Sequence, residues 1–288
     1  MDTTETDNGD PSAEARAKAP ASGQYGQALL KHIAAFAVPF FIIRRGTFSR
    51  TNPIQNKDLF TNGTAFFVDF GNGPFGITAN HVVEEALKET TVSCGLFPKQ
   101  YQQPVRRLLE LDDLRQRLIQ QSSHHDVATF RIGEEEIEHL GVSVLTARPT
   151  IPDEGRGGVA FVGFPGALRE IVGIGGSRIL PEMMFSFAVF PGFGIAASVS
   201  NRQITFQFEH EALIQTPGFS APPADLELGG MSGGPLLARV QTVGGIEHWA
   251  PAGIITAGEM LPQYESGFLF AARADCLTLD GKIDDQAL

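Results

Sequence analysis

Three short segments carry residue types that could perform nucleophilic chemistry. In Gly229-Gly230-Met231-Ser232-Gly233-Gly234-Pro235, one serine is ringed by glycines. Glycine reaches backbone dihedrals and close approaches closed to other residues, so the N–H groups of such a loop can converge on one point, as an oxyanion hole requires. A serine hydroxyl becomes a useful nucleophile when a base takes its proton, and that base needs a carboxylate to fix its tautomer. His81, in Ile77-Thr78-Ala79-Asn80-His81-Val82, and Asp126, in His124-His125-Asp126-Val127-Ala128, supply those two types. Each lies at the end of a predicted strand or the start of the next, where rigid scaffolds present loop-borne groups.

Other chemistries match less well. Gly230-Met-Ser-Gly-Gly234 also satisfies the G-x-S-x-G elbow, but only His248 follows it and no alternating helices are predicted. His210-Glu211 opens an H-E-x-x-H pattern that fails at Ile214. His124-His125 has no spaced Cys or His partner, so no metal site is expected. Gly192-Phe193-Gly194 reads as a turn, because no βαβ unit surrounds it.

The elements that must hold these residues read mostly as strands and turns. Leu29, Ile33 and Phe36 follow helical spacing and predict one short helix ended by Pro39. Thr64–Phe70 and Phe75–Thr78 flank Gly71-Asn72-Gly73, a hairpin signal. Thr91–Phe97 and Val127–Ile132 are further strand candidates, and the second half repeats the texture from Val159 to Phe270. Leu111, Leu114 and Leu118 at i, i+3, i+7 predict an amphipathic helix over 104–121, inserted among the strands. Many short strands punctuated by Gly and Pro predict an all-β fold of barrels or sandwiches. The expected units are a disordered acidic tail over 1–24, an N-terminal β-barrel over 25–148 and a C-terminal β-barrel over 149–288.

Composition narrows the function classes. The chain has 288 residues, 22 Lys+Arg and 33 Asp+Glu, for a net charge of −11. An acidic surface repels phosphate backbones and anionic headgroups, which argues against nucleic-acid and membrane partners. The longest apolar stretch, Ile33 to Ile43, is eleven residues with Pro39 inside it. A membrane-spanning helix needs about 20. The N-terminus is acidic, unlike a signal peptide, so a soluble cytoplasmic protein is expected. Cys94 and Cys276 lie far apart in sequence and predict two free thiols rather than a disulfide staple.

The combination of Thr78-Ala79-Asn80-His81-Val82 with Gly230-Met231-Ser232-Gly233-Gly234-Pro235, in the order His, Asp, Ser, resembles the trypsin/chymotrypsin-like serine peptidases, especially their disulfide-free bacterial and viral branches. The resemblance spans roughly residues 36–275. It implies two six-stranded antiparallel β-barrels with the active site between them, and an endopeptidase acting on a polypeptide substrate without cofactor or metal. It further implies Ser232 as nucleophile, His81 as base, Asp126 as its orienting acid, and the N–H groups of Gly230 and Ser232 as oxyanion donors. By the same resemblance Leu226 floors the pocket for the residue before the scissile bond. Thr256 and Gly258, in Gly253-Ile-Ile-Thr-Ala-Gly258, and then Gly267 form its walls. A one-residue shift in that count would put Glu227 on the floor. Two positions depart from the family: Met231 stands where digestive relatives have Asp, and Asn80 stands where Ala is usual. A catalytically silent barrel that binds a partner peptide is the alternative, and an esterase or acyltransferase would use the same residues.

Overall fold

A computed structural model describes residues 24–46, 59–98, 108–155, 157–175, 182–209, 225–241, 247–264 and 266–286. The tail over residues 1–23, residues 104–107 of the expected helix and residues 216–224 of the loop before Ser232 lie outside the described residues. The first sheet has seven strands in the order β5-β4-β1-β2-β3-β7-β6. They are β1 (Ala37–Arg44), β2 (Phe60–Val68), β3 (Phe75–Ala79), β4 (Thr91–Leu96), β5 (Leu109–Glu110), β6 (Leu118–Ser122) and β7 (Val127–Arg131). The second sheet closes as a barrel in the order β11-β12-β15-β14-β13-β8. Its strands are β8 (Gly158–Gly163), β11 (Phe190–Val199), β12 (Gln203–Glu209), β13 (Pro235–Gln241), β14 (Glu247–Leu261) and β15 (Ser266–Arg273). Between β8 and β11, β9 (Arg169–Gly175) and β10 (Glu182–Phe187) form a two-stranded ribbon. The expected all-β double-barrel architecture is therefore present, but the first sheet is an open half-barrel of seven strands rather than a closed one of six.

Strand β2 shows why the two sheets pack as they do. Side chains alternate faces along a strand. Ala65 and Phe67 enter the core of the first sheet with Val38, Phe40, Leu96 and Phe130. Phe66 and Val68 join a different cluster, with Val162, Phe164, Leu237 and Ile254 of the second barrel. So β2 is buried on both faces, one inside its own sheet and one between the units. The termini cross over. Ile33 and Phe36, from helix α1 (Gln24–Ala34) and just after it, join that inter-unit cluster. The C-terminal segment lies on the first sheet: Gln120 Nε2 donates to the Ile283 carbonyl, and Thr129 Oγ1 to that of Gly281.

Two local expectations need correction. The helix over 104–121 does not form in its described part. That part holds β5, one helical turn α3 (Leu114–Arg117; α2 is Asn80–Ala86) and β6. Leu111 and Leu114 are buried in the first core, as the spacing demanded, but one turn suffices to bring both inward. Leu118 then opens β6, which pairs with β7 from Leu118↔Phe130 to Ser122↔Val127. Satisfying the backbone donors and acceptors along the β7 edge outweighs helical periodicity. Pro39 does not end α1. It sits inside β1 opposite Thr64, at the end of the β4 ladder that begins at Phe40↔Leu96, where its carbonyl still accepts from Phe97 N at 3.0 Å and only the return bond is missing.

Candidate active site

His81 is the second residue of α2, a helix that starts directly where β3 ends. No side chain at Ala79 caps this helix. Its orphan N–H groups turn instead to Asp126: Asn80 N donates to the Asp126 carbonyl at 3.0 Å, and His81 N donates to Asp126 Oδ1 at 2.9 Å. The main-chain carbonyl takes the Asn80 proton and the carboxylate that of His81, and a carboxylate at a helix start also complements the helix dipole. Asp126 can reach because it holds φ +55° in the turn between β6 and β7, the only positive φ outside glycine among the described residues. Asp tolerates that region better than most side chains. Its second oxygen, Oδ2, lies 2.8 Å from His81 Nδ1. A carboxylate only accepts, so Nδ1 carries the proton and Nε2 is left as the basic nitrogen. The hydrogen bond that His81 donates to Asp126 holds the imidazole pKa above the ordinary 6.5. Burial opposes the shift, and the charges of Asp126 and Glu84 add to it.

The unusual Asn80 has a role of its own. It is 4% exposed, donates to Glu84 Oε1 and accepts from Gln121 Nε2, so it ties the start of α2 to β6.

Ser232 is placed by a loop that only glycine could build. Gly230 and Gly233 adopt φ +100° and +90°. A Cβ on Gly233 would lie 2.0 Å from the Thr64 carbonyl and 2.3 Å from Thr78 Oγ1. The loop is docked on the first sheet: Thr64 N donates to the Ser232 carbonyl at 2.8 Å, and Thr64 Oγ1 to the Gly230 carbonyl at 2.8 Å. It is tied to β14 as well, through Gly233 N to the Ile255 carbonyl. A Cβ on Gly63 would meet Val82 at 2.6 Å and the Ser232 carbonyl at 3.2 Å. That close approach seats Ser232 beside the start of α2, where His81 stands. Ser232 Oγ donates to the Thr256 carbonyl at 3.1 Å. Among the described residues, the N–H groups of Gly230 and Ser232 meet no protein acceptor. Met231 is buried in the second core against Gly163, so that position packs rather than pairs with a charge.

Of the positions assigned to the substrate pocket, Leu226 belongs to the segment leading into the serine loop, the Thr256 carbonyl accepts from Ser232, Gly258 lies against Leu228, and Gly267 lies further along, opposite Met260. Leu226 is buried in the second-barrel core, while Glu227 points outward. Thr256 Oγ1 donates to the Phe270 carbonyl across to β15. Gly258 is exposed, and a Cβ there would meet Leu269 and Leu228 at 2.3 and 3.0 Å. Gly267 is buried against Phe208 and Met260.

Sequence reasoning passed over several residues at this site. Asn62, Thr64 and Thr78 are buried polar side chains bonded into the serine loop or its support. The signal was present: polar residues at alternate positions of a strand that is otherwise apolar on that face. His124 and His125, adjacent in sequence, keep their rings in edge-to-face contact but differ in exposure. His124 is exposed and His125 is 6% exposed. Burial pushes the His125 pKa down, helped by His124. Asp285 and the Asp284 backbone pull the other way, yet neither ring nitrogen completes a hydrogen bond. Among the described residues no group of three or more His, Cys, Asp or Glu side chains could hold a metal ion. Cys94 and Cys276 are both free and buried. No helix among the described residues is long and apolar enough to cross a membrane.

The sequence model of the trypsin-like peptidase domain matches residues 63–246, more than half of the chain. No curated protein matches it. Several solved structures are similar to it over most of the chain. A thermostable serine protease, AL20, from an extremophilic microorganism is 12% identical with a TM-score of 0.42, over 83% of this chain and 91% of that one. The HtrA-type protease AlgW with a tripeptide is 15% identical with a TM-score of 0.40, over 89% of this chain and 60% of that one, so the chain matches less than two thirds of its length. The serine protease domain of the Sesbania mosaic virus polyprotein is 13% identical with a TM-score of 0.36, over 82% of this chain and 87% of that one.

Proposed function

The chain belongs to the trypsin-like peptidase domain family, and from that premise we propose that it is a cytoplasmic serine endopeptidase using Ser232, His81 and Asp126. In this reading residues 25–148 and 149–288 supply the two barrels and the cleft between them binds the polypeptide. The observation that carries it is the double grip of Asp126 on His81, one oxygen on the backbone N–H and one on Nδ1. That grip fixes ring position and tautomer together, as a general base requires.

Ser232 Oγ turns away from the Thr256 carbonyl towards His81 Nε2. The bond it gives up is neutral and part-buried, and such bonds contribute about 1 kcal/mol. His81 Nε2 takes the hydroxyl proton as Oγ attacks the substrate carbonyl carbon. The N–H groups of Gly230 and Ser232 receive the developing oxyanion. His81 then gives its proton to the leaving amine, and water repeats the sequence on the acyl-enzyme. Asp126 stays ionised and stabilises the charged imidazole.

For specificity, this reading takes buried, apolar Leu226 as the pocket floor with exposed Glu227 turned away from it, and of the two wall glycines Gly258 is exposed while Gly267 is packed against Phe208 and Met260. Cleavage is expected after small or medium apolar residues. A Lys or Arg side chain would be desolvated there without a partner. A peptide library digested by the wild type and by Ser232→Ala tests both levels. Cleavage after Val, Ala, Leu or Met that vanishes in the variant supports the reading. Dominant cleavage after Lys or Arg overturns the pocket, and cleavage that survives Ser232→Ala overturns the nucleophile.

A further inference from the structure

The face of β2 that meets the second barrel changes character along the strand. Phe66 and Val68 are apolar, but Asn62 and Thr64, on the same face by alternation, are polar and only 7% and 0% exposed. Buried polar groups persist where they are fully bonded, and these two are bonded towards the serine loop. Thr64 Oγ1 donates to the Gly230 carbonyl and accepts from Phe164 N at 3.1 Å. Asn62 Nδ2 donates to the Phe164 carbonyl at 2.6 Å. Its Oδ1 accepts from Arg169 Nη1 at 2.7 Å, and Arg169 Nη2 donates to the Phe60 carbonyl at 2.9 Å. The amide orientation is chemically forced, since a guanidinium only donates and a carbonyl only accepts.

Arg169 is an odd choice for this place. Burial and the charge of Arg44 both push its pKa down, and among the described residues no carboxylate pairs with it. A desolvated, unpaired cation is costly. What it supplies is a rigid planar fork that holds two acceptors at once, which lysine cannot reproduce.

The held object is the turn Phe164-Pro165-Gly166, and that turn holds the oxyanion loop. Gly166 N donates to the Gly229 carbonyl at 2.6 Å. In a trans peptide the C=O and the next N–H point opposite ways. Fixing Gly229 O on the turn therefore aims Gly230 N–H to the other side. A Cβ on Gly230 would fall 2.6 Å from the Phe164 carbonyl, 2.7 Å from Asn62 Nδ2 and 2.8 Å from Gly166 N, so the three parts are in direct contact. The other oxyanion donor is set within the loop: Gly234 N holds the Met231 carbonyl at 2.9 Å, which aims Ser232 N–H in the same way. One donor is thus locked locally, and the other depends on side chains from outside the loop.

We propose that Asn62 and Arg169 are positioning residues that lock the Gly229–Gly230 peptide in the orientation that presents Gly230 N–H to the oxyanion. The proposal rests on the peptidase reading above and deepens it. Without the Arg169 fork, Asn62 Oδ1 and the Phe60 carbonyl lose their donor, the turn loosens, and the Gly229–Gly230 peptide is free to rotate.

The test compares Arg169→Met, Arg169→Lys and Asn62→Asp with the wild type. Outright loss of one oxyanion donor costs about 10²–10³ in kcat. A donor that is present but unlocked should cost about 10-fold to 100-fold. Arg169→Met is expected to lower kcat by that factor with KM within about twofold. Affinity for a peptidyl boronate, which places an anionic oxygen in the hole, should fall by the same factor, while the acid limb of the pH profile set by His81 stays put. Asn62→Asp, which keeps the acceptor for Arg169 but loses the donor to Phe164, should behave alike. Arg169→Lys should recover only part of the loss. Hydrogen exchange at the Gly166 amide should quicken in all three, independently of turnover. Wild-type kcat and boronate affinity in Arg169→Met, or a lowered Tm with unchanged kcat, overturns the proposal. A wild type that cleaves nothing overturns the peptidase reading instead, and unaltered Gly166 exchange in the variants would then overturn the lock.

Discussion

Replacing Asp126 by Asn should abolish most activity while leaving the fold intact, and the geometry says why. Asp126 uses Oδ1 to accept the His81 backbone N–H at 2.9 Å and Oδ2 to meet His81 Nδ1 at 2.8 Å. An asparagine has one acceptor and one donor group at those places. The backbone N–H can only donate, so the amide oxygen must stay there, which turns the NH₂ towards Nδ1. Facing a donor, Nδ1 becomes the acceptor and the ring proton moves to Nε2. That nitrogen can no longer take the Ser232 proton. Loss of the right tautomer costs about 10⁴-fold in kcat, or about 5.4 kcal/mol at 1.36 kcal/mol per tenfold. Stability should hardly change, because Asn tolerates the φ of +55° as Asp does and keeps the cap on α2. The pH profile gives a second check. In the wild type the Asp126 hydrogen bond raises the His81 pKa above 6.5, so activity falls as acid protonates the base at a midpoint above that value. In the variant that support is gone and the residual activity should persist to lower pH. The assay is steady-state cleavage of a fluorogenic peptide from pH 5 to 9, with thermal unfolding alongside. An Asn variant within about tenfold of wild-type kcat, or one with an unmoved acid limb, refutes the reasoning.

Three further outcomes follow from the same contacts. Gly233→Ala places a Cβ 2.0 Å from the Thr64 carbonyl at a φ of +90°, so strain and clash together should cost at least about 3 kcal/mol, read as a fall in Tm with loss of activity. Both cysteine thiols are buried and pushed up to about 12, mainly by desolvation, so an alkylating reagent at pH 8 should leave the folded chain unmodified and add two adducts once it is denatured; modification in the folded state would contradict that burial. His125 has its pKa lowered by burial, so it favours the neutral form in the fold: the stability it permits is present above 6.5 and lost as pH falls from there through the lower folded value. His125→Leu should remove a buried ring without hydrogen bonds, raise stability by about 1 kcal/mol, and blunt the loss between pH 7 and 5; a less stable variant with an unchanged pH slope would count against it.

Much of the site could be read from local chemistry. Gly230 and Gly233 do take positive φ, and Gly71 and Gly73, which frame the β2–β3 hairpin, do as well, because no other residue adopts φ near +100° without strain. His81 and Asp126 meet because β3 and β7 pair, with Ala79 opposite Val127, and that pairing follows from two apolar strands seeking one core. What stayed hidden depends on partners far along the chain. Asn62 gains its meaning from Phe164 and Arg169, and Thr64 from Gly230; the alternation marks both as polar on an apolar face but does not name those partners. The segment 108–121 departs from its helical pattern for a related reason. Leu111, Leu114 and Leu118 carry a helical period, yet the free edge of β7 claims the residues from Leu118 onward. The crossing of the C-terminal segment onto the first sheet, with Ser122 Oγ on Asp285 and Gln120 on Ile283, likewise leaves no trace in local pattern.

The most direct test of the central claim is active-site labelling with a fluorophosphonate, which reacts with a serine only when a base activates it and an oxyanion hole receives the phosphoryl oxygen. The folded wild type should acquire one adduct, mapped by peptide mass spectrometry to Ser232. His81→Ala and Ser232→Ala should acquire none, and Asp126→Asn should label far more slowly. A wild type that stays unlabelled while folded, or an adduct at any residue other than Ser232, contradicts the account.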